Sequence, residues 1–272
     1  EIEQPAGFVL DDTIYPVTIG ADGQVVEIEI VNRYVRGNIH LTKVDSEYPD
    51  NKLTGATFEV YKDSNDNGKL DDSDELLGTL AEKEIGEYGM NDLFYGRYFI
   101  REIKAPEGFV LDTGVYEVMI DTDGKTYEVE NKAGVGFINE AMRGNLKIVK
   151  TSSDGKVKGF AFRITGANGY DIILETDENG EIFIDGLRIG DYTISEVSNS
   201  ASSMYVLPAD KKATVKIGST TIVEMHNVLR DTPKTGDTTN LPLLYTLAAL
   251  SAVGIAVCGV IGFKKKKKED RN

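Results

Sequence analysis

The 272-residue chain carries 30 Lys and Arg against 45 Asp and Glu, a formal charge of −15, with 40% apolar residues and no tryptophan. This acidity argues against nucleic acid as a partner, since phosphate binding needs a basic face, and the apolar fraction is enough to fill cores and excludes wholesale disorder. The lone Cys258 leaves neither a disulfide framework nor a Cys-based zinc site, and the two histidines, His40 and His226, are too far apart in sequence to suggest a metalloenzyme.

In chain order, short alternating runs are separated by Gly, Asn and Asp turns such as ADG at Ala21 and TDENG at Thr176. They predict an all-β fold of tandem small antiparallel β-sandwiches. The runs repeat. EIEQPAGFVLD at Glu1 recurs as EIKAPEGFVLD at Glu102, RGNIHLTK at Arg36 as RGNLKIVK at Arg143, and DLFYGRYFIRE at Asp92 parallels GLRIGDYTISE at Gly186. These anchors divide the chain into the tail of one unit (1–36), a full unit (37–143) and a second full unit (144–230). Because Glu1 falls inside a repeat, with no initiator Met or signal peptide before it, the chain is read as a fragment.

Strand parity puts polar groups on the inward faces, since alternate residues of a strand share a side. Ile39 and Leu41 lead to Lys43, and Leu146 and Ile148 lead to Lys150. Tyr98 and Ile100 lead to Glu102, Tyr192 and Ile194 to Glu196, Val223 and Met225 to Asn227. In the partial unit, Ile28 and Ile30 lead to Asn32, with Glu1 the counterpart of Glu102. Two asparagines satisfy parity as partners for Lys43. Asn139 lies five residues before Gly144, as Asn32 does before Gly37, and is favoured; Asn131 better preserves the spacing from the glutamate and stays open. Buried unpaired charge is costly, so each such group must find a partner or lose its charge.

Between the strands of the first full unit, residues 63–74 follow the calcium-loop pattern of the EF-hand. Asp63, Asn65, Asn67, the Lys69 carbonyl, Asp71 and Asp74 fall at its ligand positions, and Gly68 at the sharp turn. A structural calcium is the one cofactor expected. Near the carboxyl end stands Thr232-Pro233-Lys234-Thr235-Gly236, within a linker over 231–240. Residues 241–263 carry no charge and are long enough for a transmembrane helix, and the basic tail 264–272 opens with five lysines that stay cytoplasmic. Everything upstream is then expected at the cell surface.

The last three features together resemble the cell-wall sorting signal (LPxTG-like) of Gram-positive surface proteins. The resemblance implies cleavage by a sortase between Thr235 and Gly236 and transfer to peptidoglycan or another pilin subunit; Thr232 stands where the commonest motif has leucine. The lysine of LTKVD, the glutamate of EIKAPEGF and the asparagine ending the last strand resemble the collagen-adhesin B-type repeats, also called SpaA-like, with a prealbumin-like or immunoglobulin-like sandwich. That resemblance implies intramolecular isopeptide bonds, Lys43 to Asn139 (or Asn131) and Lys150 to Asn227, assisted by Glu102 and Glu196. The function expected is the wall-anchored stalk of an adhesin or accessory pilin. It is not a turnover enzyme, since neither GxSxG nor HExxH is present. The alternative is the spacer tail of a secreted enzyme whose catalytic domain lies upstream. Repeats that themselves bind a host extracellular-matrix protein are a third reading.

Overall fold

A computed structural model describes residues 1–231; the motif at Thr232, Pro233, Lys234, Thr235 and Gly236, the apolar run 241–263 and the basic tail lie outside the described residues. The first full unit comprises β1 (Arg36–Asp45), β2 (Thr57–Lys62), β3 (Glu75–Thr79), β4 (Ala81–Glu84), β5 (Glu87–Phe94), β6 (Gly96–Lys104), β7 (Val115–Ile120), β8 (Thr126–Glu128) and β9 (Phe137–Asn139). One sheet runs β4-β5-β1-β8, with β9 also against β1, and the other runs β3-β2-β6-β7. The second unit repeats the plan with β10 (Arg143–Ser152), β11 (Ala161–Thr165), β12 (Asp171–Glu175), β13 (Glu181–Arg188), β14 (Gly190–Val197), β15 (Tyr205–Val206), β16 (Lys211–Val215) and β17 (Thr220–Leu229). Its sheets run β13-β10-β17-β15 and β12-β11-β14-β16.

Alternation builds the cores. Along β1, Ile39 and Leu41 turn inward onto Phe58, Val60, Tyr88 and Ile100; along β10, Leu146 and Ile148 turn onto Phe160, Phe162, Ile182 and Ile194. Edge-to-face ring pairs, Phe58 with Tyr88 and Phe137 and Phe160 with Tyr205, fill the space between the sheets. The only helical element among the described residues is a short 3₁₀ turn, Ala167–Gly169.

One expectation is corrected. The sandwiches are not wholly antiparallel, because β8 and β9 run parallel to β1, and β17 parallel to β10. A first and a last strand separated by the rest of a unit need no hairpin between them, so nothing local enforces antiparallel pairing. The parallel arrangement makes each unit begin at one end of this strand pair and finish at the other.

The partial unit also departs from expectation. Residues 1–35 contain no regular strand, only an isolated bridge between Phe8 and Tyr34. Ile28 and Ile30 are exposed and Asn32 is only half-buried rather than turned to a core, since residues 1–35 contain no sheet to cover them.

Successive units are joined the same way. The Val35 N–H donates to the Gly7 carbonyl and Tyr95 N–H to the Val35 carbonyl. At the next junction Met142 N–H donates to Gly108 and Ile189 N–H to Met142. There Arg188 also forks onto Asp45, with Nη1 and Nη2 at 2.6 and 2.7 Å from its two oxygens, and reaches Glu47. No helix among the described residues is long and apolar enough to cross a membrane.

Candidate functional site

The inward parity of β1 ends on Lys43, which is fully buried, and that of β10 ends on Lys150, 1% exposed. Both lysines are gripped at the backbone: Lys43 N–H donates to the Gly86 carbonyl, and Lys150 N–H to Gly180. These glycines sit at φ +70° and +78°, and a β-carbon on either would strike the lysine's carbonyl oxygen, at 3.0 and 2.8 Å. The turn before β5 and β13 therefore requires glycine.

Parallel pairing brings the asparagine alongside. Lys43 is opposite Phe137 and Asp45 opposite Asn139; Lys150 is opposite Met225 and Ser152 opposite Asn227. In both units the asparagine lies two residues beyond the lysine's partner, on the same face. The glutamate comes from the facing sheet, Glu102 across from Phe58 and Glu196 across from Phe162. Asn139 Nδ2 donates to Glu102 Oε2 at 2.8 Å and Asn227 Nδ2 to Glu196 Oε1 at 2.6 Å. All six residues are buried.

Their electrostatics follow from that burial. Desolvation brings the Lys43 ammonium down to about 8 against the opposing pull of Glu102, Asp112 and Asp45, and lowers Lys150 likewise. Desolvation raises both glutamates above the usual carboxylate range, outweighing the asparagine hydrogen bonds. The same interior thus shifts the amine toward its neutral form and the acid toward its protonated one. Lys43 Nζ donates to the Phe137 carbonyl at 3.0 Å, and Lys150 Nζ lies 4.1 Å from the Phe160 ring centre. Glu102 Oε1, Asn139 Oδ1, Glu196 Oε2 and Asn227 Oδ1 are buried without any hydrogen-bond partner. Each orphan costs about 1–3 kcal/mol. One acid oxygen and one amide oxygen are thus left unpaired in each of the two units.

Asn131 lies elsewhere. Its Nδ2 donates to Asp112 Oδ2 at 2.6 Å and to the Ile138 carbonyl, while its Oδ1 accepts from Ile138 N–H. Register explains why parity admits both asparagines. His40 faces Glu128 and Lys43 faces Phe137, so the last strand advances nine residues while β1 advances three. Six residues bulge out, an even number that preserves the face. The same six appear in the glutamate-to-asparagine separation, 37 residues in the first full unit against 31 in the second and in the partial unit. In that partial unit Asn32 Nδ2 reaches Glu1 Oε1 at 2.9 Å, with Glu1 exposed and Asn32 half-buried.

The loop over 63–74 folds on its own polar groups. Asp63 accepts from the N–H groups of Asn67 and Gly68, Asp71 accepts from Ser73, Asn67 and Asn65, and Asp74 accepts from Ser64 and Asp71 N–H. Ser73 and the two asparagines hold the Asp71 carboxyl well below the ordinary range. Among the described residues no group of three or more His, Cys, Asp or Glu is placed to hold a metal. Lys69 is exposed, and its carbonyl, not its side chain, falls at a ligand position of the loop pattern.

A profile for the SpaA prealbumin-like fold domain matches residues 37–133 and 144–229, most of the chain. The chain belongs to this family. Its first match stops before the six-residue bulge ends, leaving Asn139 outside the matched stretch. A curated relative, the trypsin-resistant surface T6 protein of Streptococcus pyogenes, is 25% identical over 194 residues, covering 60% of this chain and 34% of the relative. The Bacillus anthracis TIE protein superposes with a TM-score of 0.61 at 24% identity, over 84% of this chain and 40% of that one, which shows the fold. A minor pilin of Streptococcus agalactiae also matches over 73% of this SpaA-family chain and 98% of its own, at 20% identity and a TM-score of 0.34. The chain spans about a third of the T6 protein and two fifths of the TIE protein.

Proposed function

We propose that the chain is the surface stalk of a wall-anchored adhesin or accessory pilin, whose full units are stiffened by self-formed Lys43–Asn139 and Lys150–Asn227 isopeptide bonds. The observation that carries this reading is the same buried lysine, glutamate and asparagine, at the same register, in both units. The neutral amine attacks the asparagine side-chain carbonyl carbon. The protonated glutamate polarises the amide oxygen, then passes protons to the departing nitrogen, so a C–N bond forms, a C–N bond breaks and ammonia leaves. The acid proton and the amine are the donors that the orphaned oxygens lack. Fixed neighbours supply the effective concentration that makes amide exchange feasible, and each unit reacts once.

Membership of the SpaA family, and relatives named as a surface protein and a pilin, support a cell-surface role. On this reading a sortase cuts between Thr235 and Gly236, after the apolar run and lysine tail have held the chain in the membrane. The threonine is then joined to peptidoglycan or another pilin, and a host matrix protein is a further candidate partner. One experiment tests both halves. The chain released from a Gram-positive wall by muralytic digestion should end at Thr235, with its peptidoglycan remnant, and weigh two ammonia molecules less than its sequence. Full mass would remove the crosslinks, and an intact carboxyl terminus would remove the anchor.

We also propose a structural calcium held by Asp63, Asn65, Asn67, Asp71, Asp74 and the Lys69 carbonyl, where its charge would offset the clustered carboxylates. At a hundredfold excess over its dissociation constant it should stabilise the first unit by about 2.7 kcal/mol. Differential scanning calorimetry with calcium and with chelator checks this; a transition that calcium does not move sinks it.

A further inference from the structure

The loop after β6 makes contacts that the crosslinking chemistry above does not use. Asp112 N–H donates to Glu102 Oε2 at 2.8 Å, the same oxygen that receives Asn139 Nδ2. The Asp112 carboxylate is itself held on both oxygens. Gly114 N–H reaches Oδ1 at 2.7 Å, and Asn131 Nδ2 and Tyr116 OH reach Oδ2 at 2.6 and 2.8 Å. The Val110 carbonyl, in the same loop, accepts the other hydrogen of Asn139 Nδ2 at 2.6 Å. Acid, amide and loop form one network, and the bulge that carries Asn131 closes it.

The chain contains its own comparison. In the partial unit Glu1 Oε2 accepts from Asp11 N–H at 2.9 Å, Thr13 N–H donates to Asp11 Oδ1 and Tyr15 OH to Asp11 Oδ2. Glu1, Asp11 and Tyr15 thus stand to one another as Glu102, Asp112 and Tyr116 do, each shifted by 101 residues. The second full unit is built otherwise. Phe109-Val110-Leu111-Asp112 corresponds to Tyr205-Val206-Leu207-Pro208, and Glu196 Oε2 has no partner.

We propose that Asp112 is a positioning residue for the first unit's crosslink: fixed by Asn131, Tyr116 and Gly114, it orients Glu102 toward Asn139 and sets a carboxylate beside the reacting pair. This rests on the crosslink reading above. The groups that bear on the pair are Lys43 and Asp45 from β1, Glu102 from β6, Tyr116 from β7, and Asp112 itself. Hydrogen bonds from Asn131, Gly114 and Tyr116 outweigh desolvation and keep Asp112 ionised. Its negative charge raises the proton affinity of both Glu102 and Lys43. Removing that charge therefore moves both titrations, and with them the pH profile of bond formation, toward lower pH.

The test uses the full chain made in a cell-free reaction, with ammonia loss followed in each unit by mass spectrometry of proteolytic fragments across a pH series. Asp112→Asn should slow the Lys43–Asn139 bond about tenfold, the scale of a modest loss of alignment, and shift its profile to lower pH, with Lys150–Asn227 unchanged. Tyr116→Phe, which keeps the ring, should slow the first unit alone and carries the test if Asp112→Asn fails to fold. A first-unit bond that forms at the parental rate in either variant, or that slows in Asp112→Asn with no shift in profile, overturns the inference while the crosslink reading stands. Parental chain that loses no ammonia from either unit overturns both.

Discussion

Asn227→Ala is expected to retain one ammonia molecule more than the parent chain, after allowing for the side-chain change, and to lower the melting temperature of the second unit by about 20–30 °C. The proposed link would join β10 to β17 across roughly 80 residues, and a covalent closure of that length removes about 4–5 kcal/mol of unfolded-chain entropy by the loop-closure relation for crosslinks. For a unit of this size each kcal/mol moves the midpoint by about 4–8 °C. The variant also leaves Lys150 as a buried amine beside Glu196, with no amide between them to receive it. Intact mass and calorimetry check the prediction together. Asn131→Ala serves as the contrast, because Asn131 bonds Asp112 and the Ile138 backbone and should leave the final mass deficit of two ammonia molecules in place. An Asn227→Ala protein that melts with the parent would show that β10 and β17 are held by pairing and packing alone.

The second prediction concerns pH. In Asn139→Ala, Lys43 stays a free amine whose burial lowers it from 10.5 to about 8. The folded state then binds its proton less tightly than the unfolded state does. Below about 8 the lysine is charged in both states and folding carries the full cost of burying it. Between 8 and 10.5 the unfolded chain holds more protons, so stability rises with pH across that window, by about 3 kcal/mol. Glu102 works in the opposite sense at lower pH. Burial raises it above its unfolded value of 4.5, so its favourable contribution is lost as pH climbs through its folded value. With the proposed bond formed, Lys43 of the parent would be an amide and would not titrate. Denaturant unfolding at a series of alkaline pH values should give a rising curve for the variant's first unit and a flat one for the parent. A parent that rises alongside the variant would mean that Lys43 is free in both.

Most of the buried lysine–glutamate–asparagine cluster was legible because a period of two carries inward orientation along a strand without reference to anything distant. Lys43, Lys150, Glu102, Glu196 and Asn227 each follow two apolar residues of the same parity, and burial of an alternating face leaves them nowhere else to point. The internal repeat was equally legible, and it already held the recurring FVLD segments that contain Asp11 and Asp112. Their four-residue spacing to Tyr15 and Tyr116 was the available sign of the Asp112 hydrogen-bond network, and alternation could not pick it out because Asp11 and Asp112 lie outside any strand.

Three things belong to the tertiary structure. Parity could not choose between Asn131 and Asn139, since a bulge of six residues keeps the face and changes only the register, and register is set by pairing with β1 far away in sequence. The parallel course of the first and last strands was likewise invisible, because no hairpin links them and strand direction leaves no mark on alternation. The partial unit shows the converse: Ile28 and Ile30 have the inward pattern yet remain exposed, and Asn32 is only half-buried. A pattern states which side of a strand would be buried, and only a second layer packed against it makes the burial real.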